Sequence, residues 1–397
     1  MGIYIQQLEN YVNSYENEKE FEKIKEIQIT INSEDLVQNY LLKQIPFVLR
    51  GGANNWLQKN KSYLSPDNLL EKMGESKVHI KASGNGYYEG SEDIQLWKDE
   101  NFQEPPSYVQ DNLADKDKVL VRPLGLDVKL KEIFQTLLKY NQKQENEKNQ
   151  EQPKKQQFEE KDNKKTINNN TKSEKIAGNL SNNLRNLTYF DEKSQSKKKI
   201  INSSFYIEYL DIQTYLPQIQ KQVLHDLIPN LRKFLKNEKK NFWLGAGDTT
   251  SNFHFDAMEN FMVVLQGSKT FNLIGVSQSG EMKEGHLREA IWKMECVKGE
   301  KDVYELKRNQ FLQSTSMVNT PLQEFSERKS VQVTLNEGDV LYLPAWVWHE
   351  VSSTKSEETG LSMAINFWFD PIFKKQFPCP NCKREFDNIL YEDLLNL

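Results

Sequence analysis

The sequence predicts a mainly β protein with helical additions: a double-sheet or barrel core, a helical N-terminal region before it and C-terminal helices after it. From "NFWLGAG", starting at Asn241, to Asp370, short β-prone runs alternate with glycine-containing turns, and helical periodicity is confined mostly to the ends. The last run, "LSMAINFWFD", alternates strictly. Leu361, Met363, Ile365, Phe367 and Phe369 share one face, bulky and apolar; Ser362, Ala364, Asn366 and Trp368 share the other, small or hydrogen-bonding. The first face suits a core between layers and the second a cavity wall.

Residues 1–138 read as helices leading into the first strands. "NYVNSYENEKEFEKIKEI" is helix-like, and "SEDLVQNYLLKQ" is expected to start at a capping Ser33. "IPFVLRGGANNW" is a strand ended by Gly51 and Gly52. In "SPDNLLEKMG", Ser65 caps a helix, Pro66 occupies its first turn and Gly74 lies at its end. "KVHIKASGNGYYEG" reads as a strand and a turn. Residues 139–199 have almost nothing to bury and carry charges of both signs, so they are expected to be a disordered insertion.

The catalytic core is expected over 200–373. It opens with the strand "SFYIEYLD", where Tyr206 and Glu208 alternate with Phe205, Ile207 and Tyr209, followed by a helical stretch to Asn237. "HFDAMENFMVVL", "QGSK" and "TFNLIG" read as a hairpin with Lys269 at the entrance of its second strand. In "NEGDVLYLPAWVWHEV", Pro344 breaks one strand and His349 stands in the next. Residues 374–397 place Phe386, Ile389, Leu390 and Leu394 on one helical stripe, expected to pack on the body or on a second copy, and a homodimer is expected from it.

Composition narrows the function classes. Of 397 residues, 37% are hydrophobic and 27% charged, a deficit that the 139–199 segment explains. The net charge of -5 argues against a general polyanion binder, so nucleic acid is not an expected partner. No apolar run approaches the roughly 20 residues of a membrane-spanning helix, and "MGIYIQQLENYVN" lacks the basic-then-apolar pattern of a secretory signal. Gln6 stands where a myristoylation signal has Ser or Thr. Cys296, Cys379 and Cys382 make no disulfide framework, and "CPNC" reads as a reduced thiol pair or half of a zinc site. A cytoplasmic enzyme, also able to be nuclear, is the expectation.

The chemistry concentrates in "NFHFDAMENF". In a strand His254 and Asp256 point to one face, an expensive pairing unless a metal ion or another group satisfies it. With His349 they make two imidazoles and a carboxylate. That set leaves coordination positions open, as the facial triad of non-haem Fe(II) oxygenases requires, whereas a structural zinc site prefers four closed ligands. A pocket holding a metal, a lysine, an asparagine and a tyrosine suits a small dicarboxylate, with Lys269 neutralising one end. His79, His225 and His286 have no partner pattern, Trp346 and Trp348 read as core, and Asp248 and Glu259 read either as orienting a ligand histidine or as loop carboxylates.

On "HFD", "QGSK" and "GDVLYLPAWVWH", the block from Ser204 to Phe373 resembles the jumonji-C (cupin-type) Fe(II)- and 2-oxoglutarate-dependent oxygenases. "FYIEYLD", "NFWLG", "AMENF" and "NFWFD" bring it nearest their lysyl hydroxylases, the likeness extends to "PFVLRGG…W", and 139–199 lies outside it. The resemblance implies a double-stranded β-helix (jelly-roll) core with His254, Asp256 and His349 as iron ligands. It implies Lys269 on the distal carboxylate of 2-oxoglutarate, and Tyr206, Ser251, Asn260, Asn366 and Trp368 lining the cosubstrate pocket. Ser251 replaces a common threonine but keeps a hydroxyl, and Phe255, a lysine in some relatives, points away from the metal. The implied reaction consumes dioxygen, converts 2-oxoglutarate to succinate and carbon dioxide, and hydroxylates a protein substrate, expected to be a translation-associated, developmentally regulated GTP-binding protein. The alternatives are asparaginyl hydroxylation, tRNA-base hydroxylation, histone lysine demethylation, or a scaffold with a vestigial site.

Overall fold

The computed structural model describes residues 2–19, 23–27, 31–98, 102–104, 106–138, 184–211, 214, 234–247, 249–280, 282, 284–318 and 330–396. Helices α1 (Gly2–Val12) and α2 (Tyr15–Lys19) lead to β1 (Lys25–Ile27), which runs parallel to β2 (Phe47–Leu49). Between them lies α3 (Ser33–Leu36), whose cap is Asn32 rather than the expected Ser33: Asn32 is extended and its Oδ1 accepts from Asp35 N at 2.7 Å. Helix α4 (Asn54–Asn60) precedes α5 (Pro66–Met73), which has the expected Ser65 cap and first-turn Pro66, and ends at Gly74. Helix α6 (Ser107–Gln110) is a single turn.

The strands then follow as β3 (Lys77–Ser83), β4 (Tyr87–Tyr88), β5 (Gly90–Asp93), β6 (Lys118–Arg122) and β7 (Leu124–Lys129). Next come β8 (Arg185–Asp191) and β9 (Ser196–Asp211), an antiparallel hairpin that corrects the expected limit of the disordered insertion. The alternation in "RNLTYFD" buries Leu187 and Tyr189 while Thr188 and Phe190 face out, a period that the neighbouring lysines mask in a composition reading. The rest of the expected insertion lies outside the described residues, as does most of the helical stretch expected before Asn237.

From β10 (Lys239–Gly245) and β11 (Thr249–His254) the chain continues through β12 (Glu259–Gln266), β13 (Ser268–Ile274), β14 (Gly285–Cys296), β15 (Val303–Val318) and β16 (Val331–Leu335). It closes with β17 (Val340–Leu343), β18 (Trp348–Thr354), β19 (Ser362–Phe369), β20 (Phe373–Lys374) and β21 (Glu385–Phe386). Two sheets form the core: a large one containing β2, β17, β12, β19, β10 and β9 in that order, and a smaller one ordered β16, β13, β18, β11, β4. This is a jelly-roll arrangement.

The expected hairpin of β12 with β13 is absent. β12 pairs with β17 and β19 in the large sheet, whereas β13 pairs with β16 and β18 in the small one. The chain changes sheets at Gly267, where φ is +75° and an added Cβ would lie 2.2 Å from the Thr354 carbonyl oxygen. The apolar face of β19 (Met363, Ile365, Phe367, Phe369) packs in one core with helical residues Leu36, Leu41 and Trp56, and Ala364 joins the second core with Met262 and Phe271.

The C-terminal segment departs from expectation. It is not one helix: Phe386 belongs to β21, and only Glu392–Asn396 makes a short 3-10 turn. Phe386 stacks edge-on with Phe373 at 5.5 Å, Leu394 is fully buried, and Ile389 is 90% exposed. The stripe expected to join two copies is therefore largely consumed inside this chain. Cys379 and Cys382, expected as reduced thiols, are joined in a disulfide with Cα atoms 5.3 Å apart.

Candidate active site

Strands β11 and β18 are antiparallel neighbours, and their register sets His254 directly opposite His349. The two rings lie 4.3 Å apart between centroids. His254 Nδ1 meets the Asn252 carbonyl oxygen at 2.7 Å, and His349 Nδ1 meets that of Val347 at 2.9 Å. A carbonyl can only accept, so each Nδ1 carries a proton, and Nε2 is the ring nitrogen left for a ligand role. Asp256 follows directly after β11; its Oδ2 is 3.7 Å from His349 Nε2, and one ligand atom from each of the three residues lies within 4.8 Å of the others. Burial pushes the Asp256 carboxyl up, against the opposing pull of His254, and pushes the buried His349 imidazole well down. Neutral imidazole is the metal-binding form, and a divalent cation would restore the carboxylate's charge. The donor set fits a transition metal that keeps positions open.

These side chains line a small cavity of about 50 Å3 that opens to solvent. All the residues expected from the sequence border it: Tyr206, Ser251, His254, Asp256, Asn260, Lys269, His349, Asn366 and Trp368. Lys269 is 3% exposed; its Nζ donates to Ser353 Oγ at 2.8 Å and to Tyr206 OH at 3.4 Å. No carboxylate pairs with it among the described residues, and burial lowers its pKa from 10.5 to about 8. A buried ammonium without a counter-ion is a vacancy of charge that an anionic ligand would fill. Asn260 Oδ1 and Asn366 Nδ2 are likewise buried without hydrogen-bond partners.

The sequence reading missed other lining residues. Trp243 donates its Nε1 proton to Asn366 Oδ1 at 3.0 Å, and Thr249, Met262, Phe271, Val351 and Ser353 complete the wall. Trp243 alternates with Phe242 and Leu244, a signal that was present; Ser353 reaches Lys269 only through the β13–β18 register. Gly245 faces Tyr206 so closely that an added Cβ would lie 2.7 Å from its ring. Glu259 corrects both earlier readings. It is fully buried and accepts from Tyr342 OH, Ile372 N, Gln44 Nε2 and Ala345 N, so it ties segments of the core together instead of orienting a histidine. Phe255 packs between Trp346, Trp348 and Phe377, away from the cavity. His79 pairs with Asp127 on the surface, while Asp248 and His225 lie outside the described residues.

Comparison with known proteins agrees with this geometry. Residues 33–375 match the model of the cupin-like domain family. The chain belongs to that family. This cupin-like chain is 26% identical over 178 residues to JmjC domain-containing protein C of Dictyostelium discoideum, covering 42% of the chain and 36% of that relative. It is 28% identical over 148 residues to lysine-specific demethylase JMJ32 of Arabidopsis thaliana, covering 34% of the chain and 43% of the relative. Against bifunctional peptidase and (3S)-lysyl hydroxylase JMJD7 of Homo sapiens the identity is 24% over 138 residues, covering 33% and 41%. The chain spans less than half the length of each of these relatives. The expected special likeness to that lysyl hydroxylase, jumonji domain-containing protein seven, does not stand out from the likeness to the others.

Proposed function

We propose that this cupin-like chain is an Fe(II)- and 2-oxoglutarate-dependent oxygenase of protein side chains. The observation that carries the reading is Lys269: a buried cation with no counter-ion among the described residues, in the same cavity as two imidazoles and a carboxylate arranged for one metal ion. In this reading His254, Asp256 and His349 hold the iron. Lys269, with Tyr206 and Ser353 beside it, takes the far carboxylate of 2-oxoglutarate. Asn366 offers its unpaired amide N–H to an oxygen of the cosubstrate. Iron, when bound, supplies the dioxygen chemistry that turns 2-oxoglutarate into succinate and inserts oxygen into a C–H bond. The chain's contribution is to fix the reactants, to exclude water with the wall of Trp243, Met262, Phe271 and Trp368, and to hold both imidazole rings through their Nδ1 contacts with backbone carbonyls.

The finer assignment is lysyl hydroxylation of a translation-associated GTP-binding protein, supported by the motif likeness and by the lysyl hydroxylase among the relatives. Lysine demethylation is the second reading, since relatives with similar identity carry that name. Full-length protein with Fe(II) and 2-oxoglutarate should yield succinate, and His254→Ala should not. Mass spectrometry of the GTP-binding protein after incubation should show one added oxygen. A methylated lysine peptide losing a methyl group while the GTP-binding protein stays unmodified would favour demethylation, and no succinate at all would refute the oxygenase reading.

A further inference from the structure

Trp346 stands in the turn between β17 and β18 with φ at +70°, a left-handed backbone that costs free energy for any residue with a Cβ and is rare for a bulky one. Such strain persists only where the surrounding contacts impose it. Here they do. The indole Nε1 donates to the Phe373 carbonyl oxygen at 2.8 Å, the ring packs on Phe255 with centroids 5.5 Å apart, and the residue is only 7% exposed. One residue earlier the turn is pinned again, where Ala345 N donates to Glu259 Oε2 at 3.3 Å.

The strained backbone reaches both arms of the metal site. Asp256 lies between β11 and β12, outside the ladder that sets His254 against His349, and its carbonyl oxygen accepts from Trp346 N at 2.8 Å. Directly after Trp346, Val347 turns its carbonyl oxygen to His349 Nδ1 at 2.9 Å. The φ torsion of Trp346 lies on the chain between these two backbone groups. Rotating it toward the ordinary negative range would move the N–H that holds Asp256 relative to the carbonyl that holds His349.

We propose that Trp346 is a positioning residue: its indole anchor holds a left-handed turn whose backbone fixes Asp256 relative to His349. This rests on the reading of the three ligands as a metal site, and gives a role in it to a side chain that does not line the cavity. Contacts of this outer kind set how well ligands are placed, and so the affinity for the ion.

The test titrates the full chain with Co(II) alone, read by visible absorption, which reports coordination geometry. The parent should bind, and His254→Ala should lose the signal. Trp346→Ala and Trp346→Gly remove the same ring and the same donor, so both should melt lower than the parent, but only glycine takes a positive φ freely. Trp346→Ala should bind Co(II) about ten- to a hundredfold more weakly, with an altered spectrum. Trp346→Gly should bind at least about fivefold more tightly than Trp346→Ala and keep the parent's spectrum, since a left-handed backbone costs alanine about that factor. Trp346→Phe keeps a ring against Phe255 without the indole donor and serves if the smaller variants do not fold; it should lose about three- to tenfold. Its control is Trp348→Phe. Trp348 is fully buried, packs on Phe255 at 4.7 Å and donates to Ser279 Oγ, but lies within β18, so its variant should melt lower yet bind Co(II) as the parent does. Equal affinity in the alanine and glycine variants, or an equal loss in Trp346→Phe and Trp348→Phe, would show that Trp346 only packs and would overturn the proposal. A parent chain that binds no Co(II) would sink the metal-site reading and this proposal with it, an outcome distinct from any that the variants can give.

Discussion

Replacing Lys269 by methionine separates the stability of this chain from its proposed chemistry. Burial lowers the Lys269 pKa from 10.5 to about 8, with no carboxylate among the described residues to oppose it. At about 1.4 kcal/mol per tenfold change in proton affinity, the protonated side chain destabilises the folded state by about 3 kcal/mol. Below pH 8 lysine is protonated in both folded and unfolded chains, and that penalty is felt in full. Between pH 8 and 10.5 the unfolded chain binds more protons than the folded one, so stability recovers as pH rises. Methionine removes the penalty and loses the bonds to Ser353 and Tyr206, together worth about 1–2 kcal/mol. Lys269→Met should therefore stabilise the ligand-free protein by about 1–2 kcal/mol near neutral pH, a melting rise of roughly 1–3 °C. It should also weaken 2-oxoglutarate binding by about a hundredfold, since a buried charge-assisted pair is lost. Calorimetric melting from pH 6.5 to 10 and anaerobic titration with 2-oxoglutarate would measure both. The parent's affinity should decline above pH 8, and the variant's should not depend on pH there. A variant that melts lower and still binds 2-oxoglutarate as the parent does would show that Lys269 is a packing element, and the reasoning would fail.

Gly267→Ala should cost about 1–3 kcal/mol, because φ is +75° and the new Cβ would meet the Thr354 carbonyl; urea unfolding monitored by tryptophan fluorescence would measure it. Lys375 and Glu284 form a fully buried ion pair behind Phe255, so Lys375→Met alone should cost about 3–5 kcal/mol. The double change Lys375→Met with Glu284→Leu should recover most of that loss, as a double-mutant cycle in thermal melting would show. Leu394→Asp should destabilise the chain by more than about 2 kcal/mol, whereas Ile389→Asp should leave melting unchanged, because the first side chain is fully buried and the second 90% exposed. Gel filtration that turned a dimer into a monomer on Ile389→Asp would restore the case for association through this segment.

Much of the site was legible because its residues sit in strands whose alternation is local. The faces of "LSMAINFWFD" and "FYIEYL" follow from a backbone that points successive side chains to opposite sides, and the structure puts Asn366, Trp368 and Tyr206 on the cavity. The β8–β9 hairpin was missed because the alternation in β8 is short and the lysines of the adjoining β9 dominate the local composition. The C-terminal stripe was misread for a related reason. Spacing that suits a helix also suits a strand, a turn and a 3-10 turn that each bury one side chain, and only long-range contacts choose between them.

The sequence alone determined which groups could do chemistry and which way each strand would turn them, since residue type and backbone period are local properties. The tertiary structure decided what no local rule contains. The crossing at Gly267 sends β12 and β13 into opposite sheets, and the β11–β18 register brings His349 against His254. It also surrounded Glu259 with donors while leaving Lys269 without an anion among the described residues. Register and burial depend on segments far apart in the chain meeting at one depth, and the free energy of a charge is set by that depth and its neighbours.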